Sequence, residues 1–364
     1  MDLKTKVLVV GGGPAGATAA RFLAGNDIDV ILLERNPSFI KPCGGGIPSN
    51  AFEEFKIPRT KIKKEVKFIK LVSPQDKEIL IELKDGTIGI VTRGEFDTTL
   101  RHLAKEKGAQ VLEGECVQLA SYKKMHRTEA NIGKKKVEIV SEYIIAADGV
   151  NSRLRTLLGI KPCQAIFTVN ERINDPLSEF CEFWFGSDHA PGFYSWVFPT
   201  DRGSSFGTGT IQQGSINTLL ERFKKRRGII GYGQKRVYRI PLWKGDLYNK
   251  GRVLFAGDSA GHVLPFTFEG IYYAMKAGKL AAQAIIEKNV KTYKQMWKSQ
   301  FQKRFMLMDK LKNYFFKNDS AAEKMVALHS RQEVQDASIK LWLQKDSDYR
   351  SLKEYIKLFR KFLS

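Results

Sequence analysis

Three glycines, Gly11, Gly13 and Gly16, stand at the spacing G-x-G-x-x-G inside Val9-Val10-Gly11-Gly12-Gly13-Pro14-Ala15-Gly16. That pattern suits a pyrophosphate. The first glycine permits a tight turn, the second lets the backbone approach the phosphates, and the third lets a helix pack closely on a strand. Pro14 and Ala15 sit where that helix opens, and its N-terminus offers free N–H groups and a partial positive charge. A lone match is an ordinary glycine loop. Here it follows an apolar strand, Lys6–Val10, and precedes a helical stretch, Ala17–Leu23; a second strand, Asp29–Leu33, then ends at Glu34. Glu34 is placed to accept hydrogen bonds from an adenosine ribose. The combination points to a dinucleotide site, without separating FAD from NAD.

Three other places could do chemistry. Cys43, flanked by Lys41 and by Gly44, Gly45 and Gly46, reads either as a small buried thiol or as a sulfur able to approach a cofactor closely. The segment Phe193-Tyr194-Ser195-Trp196-Val197-Phe198 reads on its own as core strand. Alternation then puts Tyr194, Trp196 and Phe198 on one face and Phe193 and Val197 on the other. His262 could donate a proton, but a loop or helix-cap role is the commoner fate of such a residue. No spacing of cysteine and histidine suggests a metal site.

The elements that carry these residues begin with a βαβ unit at the start of the chain. Apolar residues alternate through 61–91 (Val66, Phe68, Leu71; Ile79, Ile81, Leu83; Ile88, Ile90), which predicts antiparallel strands with a turn at Asp85-Gly86. Arg93–Lys107 has helical spacing. Val111–Leu119 and Lys136–Ala147 read as strands, residues 165–245 as a second sheet rich in aromatics, and Arg252–Ala256 as a buried strand. A helix is expected from near Gly270 to about Lys288, and helices from Lys291 onward. The fold class is therefore α/β, or α+β overall. A Rossmann-type domain is assembled from 1–60, 93–160 and 250–290. An antiparallel-sheet substrate domain comes from 61–92 and 161–249, and a helical region from 291–364.

The 364 residues carry a formal net charge of +21. No nucleic-acid motif accompanies the charge, so nucleic acid ranks last among its partners, behind an anionic lipid surface or a polyanionic substrate. From Lys291 to Ser364 there are 17 Lys and Arg against 8 Asp and Glu. In the last helix Leu352, Tyr355, Ile356, Phe359 and Leu363 share a face, with Lys353, Lys357, Arg360 and Lys361 opposite. That stripe either packs on the domain or lies on an anionic membrane. Four dispersed cysteines (Cys43, Cys116, Cys163, Cys181) suit a reducing compartment. No leader peptide or membrane span is expected, which implies a cytoplasmic protein, peripheral on the membrane face if the basic stripe binds lipid.

Several segments together resemble one known group. Gly257-Asp258-Ser259-Ala260-Gly261 is similar to the G-D-x-A-G motif of FAD proteins of the p-hydroxybenzoate-hydroxylase fold. Asp148, Ser152 and Arg155 fit that group's D-G-x-x-S-x-x-R segment, and Arg93, Phe96, Asp97 and Leu100 fit R-x-x-F-D-x-x-L. Within the group, Lys41-Pro42-Cys43-Gly44-Gly45-Gly46 resembles the P-C-G-G segment of geranylgeranyl reductases, and 191–199 fits P-x-x-Y-x-W-x-F-P. Residues 265–271 resemble P-x-T-G-E-G-I, with Phe268 in place of a glycine. The resemblance covers about 5–290 and implies FAD, held by Gly11, Gly13, Pro14, Ala15, Gly16, Glu34, Arg35, Cys43, Gly44, Gly45, Arg93, Val117, Asp148, Asp258, Gly261, Gly270 and Ile271. The helix beginning at Gly270-Ile271 would aim its amides at the negative charge of a reduced flavin.

The same resemblance implies a polyprenyl substrate walled by Tyr194, Trp196, Phe198 and Phe268, with Cys43, Tyr194 and Trp196 as the catalytic set. The electron donor is left open between NAD(P)H and a protein. An FAD monooxygenase, a halogenase whose W-x-W-x-I-P motif is half matched, and a flavin electron-transfer protein at a membrane are the alternatives on the same fold.

Overall fold

The computed structural model describes residues 2–84, 86–211, 213–343, 353 and 355–359. The chain divides into two units, one made of 1–40, 94–165 and 240–305, the other of 41–93, 166–239 and 306–364.

The first unit is built on an eight-stranded sheet with a parallel core. Asp2–Val10 lies between Lys135–Ala146 and Val30–Glu34, parallel to both. Gln110–Glu113 extends one side, and Val253–Phe255 followed by Asn249–Lys250 the other. A ribbon of Met125–Ile132 and Glu115–Tyr122 pairs onto Lys135–Ala146. The central strands are buried on both faces, as their unbroken apolar runs require. Val7, Leu8 and Val9 are fully buried. The Pro14–Ala24 helix packs on the sheet and Ile271–Ile286 packs along that helix, the two backbones meeting closely where Gly278 faces Ala15.

The second unit holds a seven-stranded sheet in the order Gln234–Pro241, Ala165–Ile173, Ser204–Thr210, Ser195–Pro199, Cys181–Trp184, Phe68–Val72, Glu78–Glu82. One of its pairings, Cys181–Trp184 with Phe68–Val72, is parallel, so the sheet is mixed rather than purely antiparallel. One face carries a core of Val169, Val197, Phe206 and Trp184, covered by Leu220 and Phe223 of the Ile216–Arg227 helix.

Two expectations change. The Glu78–Glu82 strand forms its hairpin with Phe68–Val72 across residues 73–77, where Lys77 N donates to Ser73 Oγ. Ile88–Ile90 joins a separate three-stranded sheet with Gly46–Pro48 and Lys64–Val66. The turn expected at Asp85-Gly86 therefore links two sheets; Asp85 itself lies outside the described residues. Because Gly46–Pro48 pairs with Ile88–Ile90, residues 41–60 group with the second unit rather than the first, and the helices after 291 divide between the units at 305.

The chain after 290 is helical through Val290–Trp297, Lys303–Phe315, Asp319–Leu328 and Gln332–Trp342. Of the expected last stripe, Tyr355 and Phe359 are buried, and Phe359 meets Phe315 edge to face at 6.0 Å, while Lys353 and Lys357 are exposed. Leu352, Arg360, Lys361 and Leu363 lie outside the described residues. Among the described residues no helix is long and apolar enough to cross a membrane.

Candidate active site

In the first unit the glycine turn is built as its spacing predicts. Gly11 has φ +101°, and a Cβ there would fall 2.3 Å from the Ala147 carbonyl oxygen. At Gly16 it would fall 1.9 Å from the Gly11 carbonyl oxygen. Neither position admits a side chain. Gly13 differs: nothing lies within 4 Å of where its Cβ would be. That open cradle sits at the N-cap of the Pro14–Ala24 helix, which carries no side-chain cap. Uncapped amides beside open space fit the pyrophosphate of a dinucleotide.

Glu34 accepts from Gly12 N at 2.6 Å through Oε2 and from Asn36 N at 2.8 Å through Oε1. The carboxylate is thereby aimed, and each oxygen keeps a second lone pair for a ribose hydroxyl. Arg101 is a residue that sequence reasoning missed. It is 8% exposed and donates to Gly12 O at 3.3 Å, Pro37 O at 2.9 Å and Thr98 Oγ1 at 2.8 Å. The signal was present: Asp97 and Arg101 follow Arg93 at four-residue steps, so the three share one face of the helix.

Asp148 accepts from Ser152 Oγ at 2.7 Å and from Leu154 N at 3.0 Å, fastening the start of the Arg153–Leu157 helix. Burial raises its carboxyl above the ordinary range, opposed by those hydrogen bonds. Arg155 reaches across to Ser259 O at 2.8 Å. Cys163 Sγ donates to the carbonyl oxygen of Asp258 at 3.6 Å. The D-G-x-x-S-x-x-R segment therefore ties the strand end to the Gly257–Ala260 turn that carries Asp258. Gly270 caps the Ile271–Ile286 helix, again without a side-chain cap, and a Cβ there would come within 3.7 Å of Asp258 Oδ1. Asp258, Gly261, Gly270 and Ile271 thus lie together. Arg35 is exposed and reaches Glu115 at 3.4 Å, and Val117 offers its carbonyl to Arg153.

Phe268 adopts φ +53° and Phe266 φ +81°. Left-handed backbone at 268 explains why a glycine suits this place; the phenyl ring here is 9% exposed. His262 is fully enclosed and stacks on Trp297, centroids 3.8 Å apart. Burial pushes its imidazole down to about 3, so it is neutral near pH 7 and is no standing proton donor.

In the second unit Arg93, 3% exposed, donates through Nη1 to Cys43 Sγ at 3.6 Å. The loop after Cys43 lies against the aromatic strand: a Cβ on Gly44 would fall 2.5 Å from Phe198 Cδ2, and one on Gly45, at φ +80°, would fall 2.4 Å from the Val91 carbonyl oxygen. Phe183 contacts Tyr194 and Phe198 edge to face at 5.2 and 5.4 Å and pairs with Trp196 in register. Tyr194, Trp196 and Phe198 therefore do share a face. Phe193 does not take the opposite one. It precedes the Ser195–Pro199 strand and curls back, stacking on Tyr194 at 4.6 Å and meeting Trp196 at 6.4 Å. Gly207 leaves room for Trp196, whose Cζ2 would lie 2.5 Å from a Cβ there. Trp196 Nε1 is buried with no hydrogen-bond partner among the described residues.

The glycine turn on an uncapped helix, the aimed Glu34 carboxylate and the second uncapped helix beside Asp258 have the geometry of a dinucleotide-binding fold. The FAD binding domain family matches residues 4–288. The chain is 32% identical to the chloroplastic geranylgeranyl diphosphate reductase of Arabidopsis thaliana over 98% of this chain and 84% of that one. It is 28% identical to the digeranylgeranylglycerophospholipid reductase of Thermoplasma acidophilum, over 93% and 94%. Its fold matches a geranylgeranyl bacteriochlorophyll reductase-like structure from Thermoplasma acidophilum with TM-score 0.87 at 23% identity, covering 100% of this chain and 99% of that one. A flavin-dependent brominase shares the fold at TM-score 0.79 and 16% identity, over 99% and 98%. The chain belongs to the geranylgeranyl reductase family of FAD-dependent oxidoreductases.

Proposed function

We propose that this enzyme saturates carbon–carbon double bonds of a geranylgeranyl or longer polyprenyl chain borne on a diphosphate, quinone or lipid. The observation that carries the reading is the aromatic face of Phe183, Phe193, Tyr194, Trp196 and Phe198 against the Cys43 loop, in a chain homologous over nearly its full length to reductases of such substrates.

Bound FAD, once reduced, supplies the hydride equivalent. The chain's own residues do the rest. Gly13 and the first turn of the Pro14–Ala24 helix take the pyrophosphate, Glu34 the ribose, and Asp258 the ribityl chain. The amides at Gly270-Ile271 offer donors where negative charge accumulates. An isoprenoid alkene is unpolarised, so the second carbon needs a proton at the right moment and water must be kept out. The aromatic face provides the exclusion. Cys43, held by Arg93, is the group we assign to proton delivery. A +21 chain with a basic C-terminal region also suits peripheral attachment to an anionic membrane on the cytoplasmic side, and its four free cysteines suit a reducing compartment.

The test is anaerobic incubation of the reduced holoenzyme with geranylgeranyl diphosphate, following the dihydro products by mass spectrometry. Product without oxygen supports the reductase. Oxygen-dependent NAD(P)H consumption with a hydroxylated product, and no alkene reduction, would replace it with a monooxygenase.

A further inference from the structure

The helical arm from Met306 onward belongs to the second unit. None of the residues assigned above to cofactor or substrate lies in it, yet it is fastened across the aromatic side of that unit's sheet. Asp319 accepts from Ser187 N at 2.7 Å and from Ser187 Oγ at 2.9 Å. Glu323 accepts from Gln75 N at 3.1 Å, Asp336 pairs with Lys84 at 3.5 Å, and the Leu343 carbonyl accepts from Asn50 Nδ2 at 3.5 Å. These contacts set two rings against the sheet. The Phe316 centroid lies 5.7 Å from that of Phe185 and 6.5 Å from that of Tyr194, and Trp342 meets Phe183 edge to face at 6.3 Å.

Phe315 and Phe316 are consecutive but do different things. Phe315, 1% exposed, fills the arm's own core against Phe359. Phe316 stands just past the end of the Lys303–Phe315 helix, is half-buried, and turns its ring to the sheet. Asn318 caps the next helix, its Oδ1 accepting from Ala321 N at 2.9 Å. The turn carrying Phe316 is therefore held between a helix end, a capped helix start and the Ser187–Asp319 contact. It stands where the sheet itself runs out, since Trp184 ends one strand and Ser195 opposite it begins the next.

The aromatic face thus has two ends. At one, Phe198 lies against the Cys43 loop. Phe183 follows, 5.4 Å from Phe198 and 5.2 Å from Tyr194, with Trp342 over it. Tyr194 then leads to Phe316 at the other end. With proton delivery at Cys43, a double bond that reacts lies at the Cys43 end. The rest of a bound prenyl chain then runs along the face, whichever of its ends enters first. Isoprenoid carbon offers no polar group to fix its register, so the extent of the apolar surface and the wall that stops it decide what fits.

We propose that Phe316 is that wall and sets the length of prenyl chain this enzyme accepts. The inference rests on the reductase reading above and adds the residue that selects among its substrates. The full-length holoenzyme is assayed anaerobically with farnesyl, geranylgeranyl and geranylfarnesyl diphosphates, of three, four and five isoprene units, with kcat and KM taken separately. Equilibrium binding of the same compounds is followed by tryptophan fluorescence. Phe316→Ala should raise kcat/KM for the five-unit chain relative to the four-unit chain by about tenfold. Phe316→Trp should lower the four-unit chain relative to the three-unit chain by about as much, the change residing in KM in both cases. Phe316→Leu, a smaller change in volume, should shift the preference in the same direction as Phe316→Ala, so that misfolding of one variant leaves the test intact. Flavin absorbance and melting temperature report the folding of each.

The same length preference in wild type and in every folded variant overturns the proposal and leaves the reductase reading standing. Binding whose length dependence follows residue 316, without alkene reduction, keeps the wall and removes the reaction. Neither binding nor reduction of any of the three compounds overturns both.

Discussion

Arg93 Nη1 and Cys43 Sγ are 3.6 Å apart, joining the first turn of a helix to a glycine-rich loop fifty positions earlier in the chain. The guanidinium is buried and the sulfur half-buried, so the sulfur's place is set from outside its own loop. Cys43→Ser keeps a hydrogen-bond acceptor for Arg93 and removes the thiol. We expect unchanged FAD content and anaerobic alkene reduction slower by about 10²-fold, in the range that positioned proton transfer contributes. Wild-type turnover would reduce Cys43 to a packing residue.

Gly13 and Gly16 separate binding from folding. A methyl group at Gly16 would collide with Gly11 O, whereas one at Gly13 meets no protein atom. Gly13→Ala should therefore leave the melting temperature of the FAD-free protein unchanged and weaken FAD by roughly 1.4–2.8 kcal/mol, about ten- to a hundredfold. Gly16→Ala should lower both. Titration of the apoprotein by fluorescence quenching, with calorimetry alongside, distinguishes them.

Arg101 braces the glycine turn through Gly12 O and the chain after Glu34 through Pro37 O. Arg101→Met fills similar volume without donors and leaves those carbonyls unserved. Each buried hydrogen bond from a charged donor contributes about 1.5–3 kcal/mol, so a loss of that order in unfolding free energy is expected, with weaker FAD retention on gel filtration.

Phe268 sets two effects against each other. Its left-handed backbone, φ +53°, costs about 1 kcal/mol, while deleting a buried phenyl ring costs about 3 kcal/mol or more. Packing wins. Phe268→Gly should lower the melting temperature despite relieving the backbone, and it should broaden the range of prenyl chain lengths accepted in competition assays.

Buried histidines make the protein sensitive to acid: burial lowers His126 and His329 too, and His262 and His189 furthest. Burial pushes both His262 and His189 down from 6.5 to about 3, with Arg226 adding to the effect at His189. In the unfolded chain they bind protons near pH 6.5, and in the folded one only near 3. Their contribution to stability is therefore complete above pH 6.5 and is lost as the pH falls toward 3. His262→Phe, which can keep the stack on Trp297, should move the acid-unfolding midpoint to lower pH by circular dichroism. An unchanged midpoint would mean the site takes up a proton without opening.

Local patterns made much of the nucleotide-binding half legible. The glycine spacing, the acid at the end of the second strand and the apolar runs of the central strands are set by the conformations that neighbouring residues allow one another, and the structure follows them. The second sheet was visible as a composition of aromatic and β-branched residues, but not its order, because strand pairing is decided between distant segments. The hairpin partner of Glu78–Glu82 is one case. Phe193 is another: period-two alternation assigned it the face opposite Tyr194, yet it lies outside the regular strand and curls back over the same side.

The sequence by itself determined the glycine turn, the helix it opens and the acid that ends the second strand, since each depends on chain geometry over a few residues. Tertiary structure alone decided which buried polar groups meet: Arg93 with Cys43, Arg101 with Gly12, Arg155 with Ser259. A buried charge must find an acceptor wherever packing leaves one, and the linear order of residues does not say where that is.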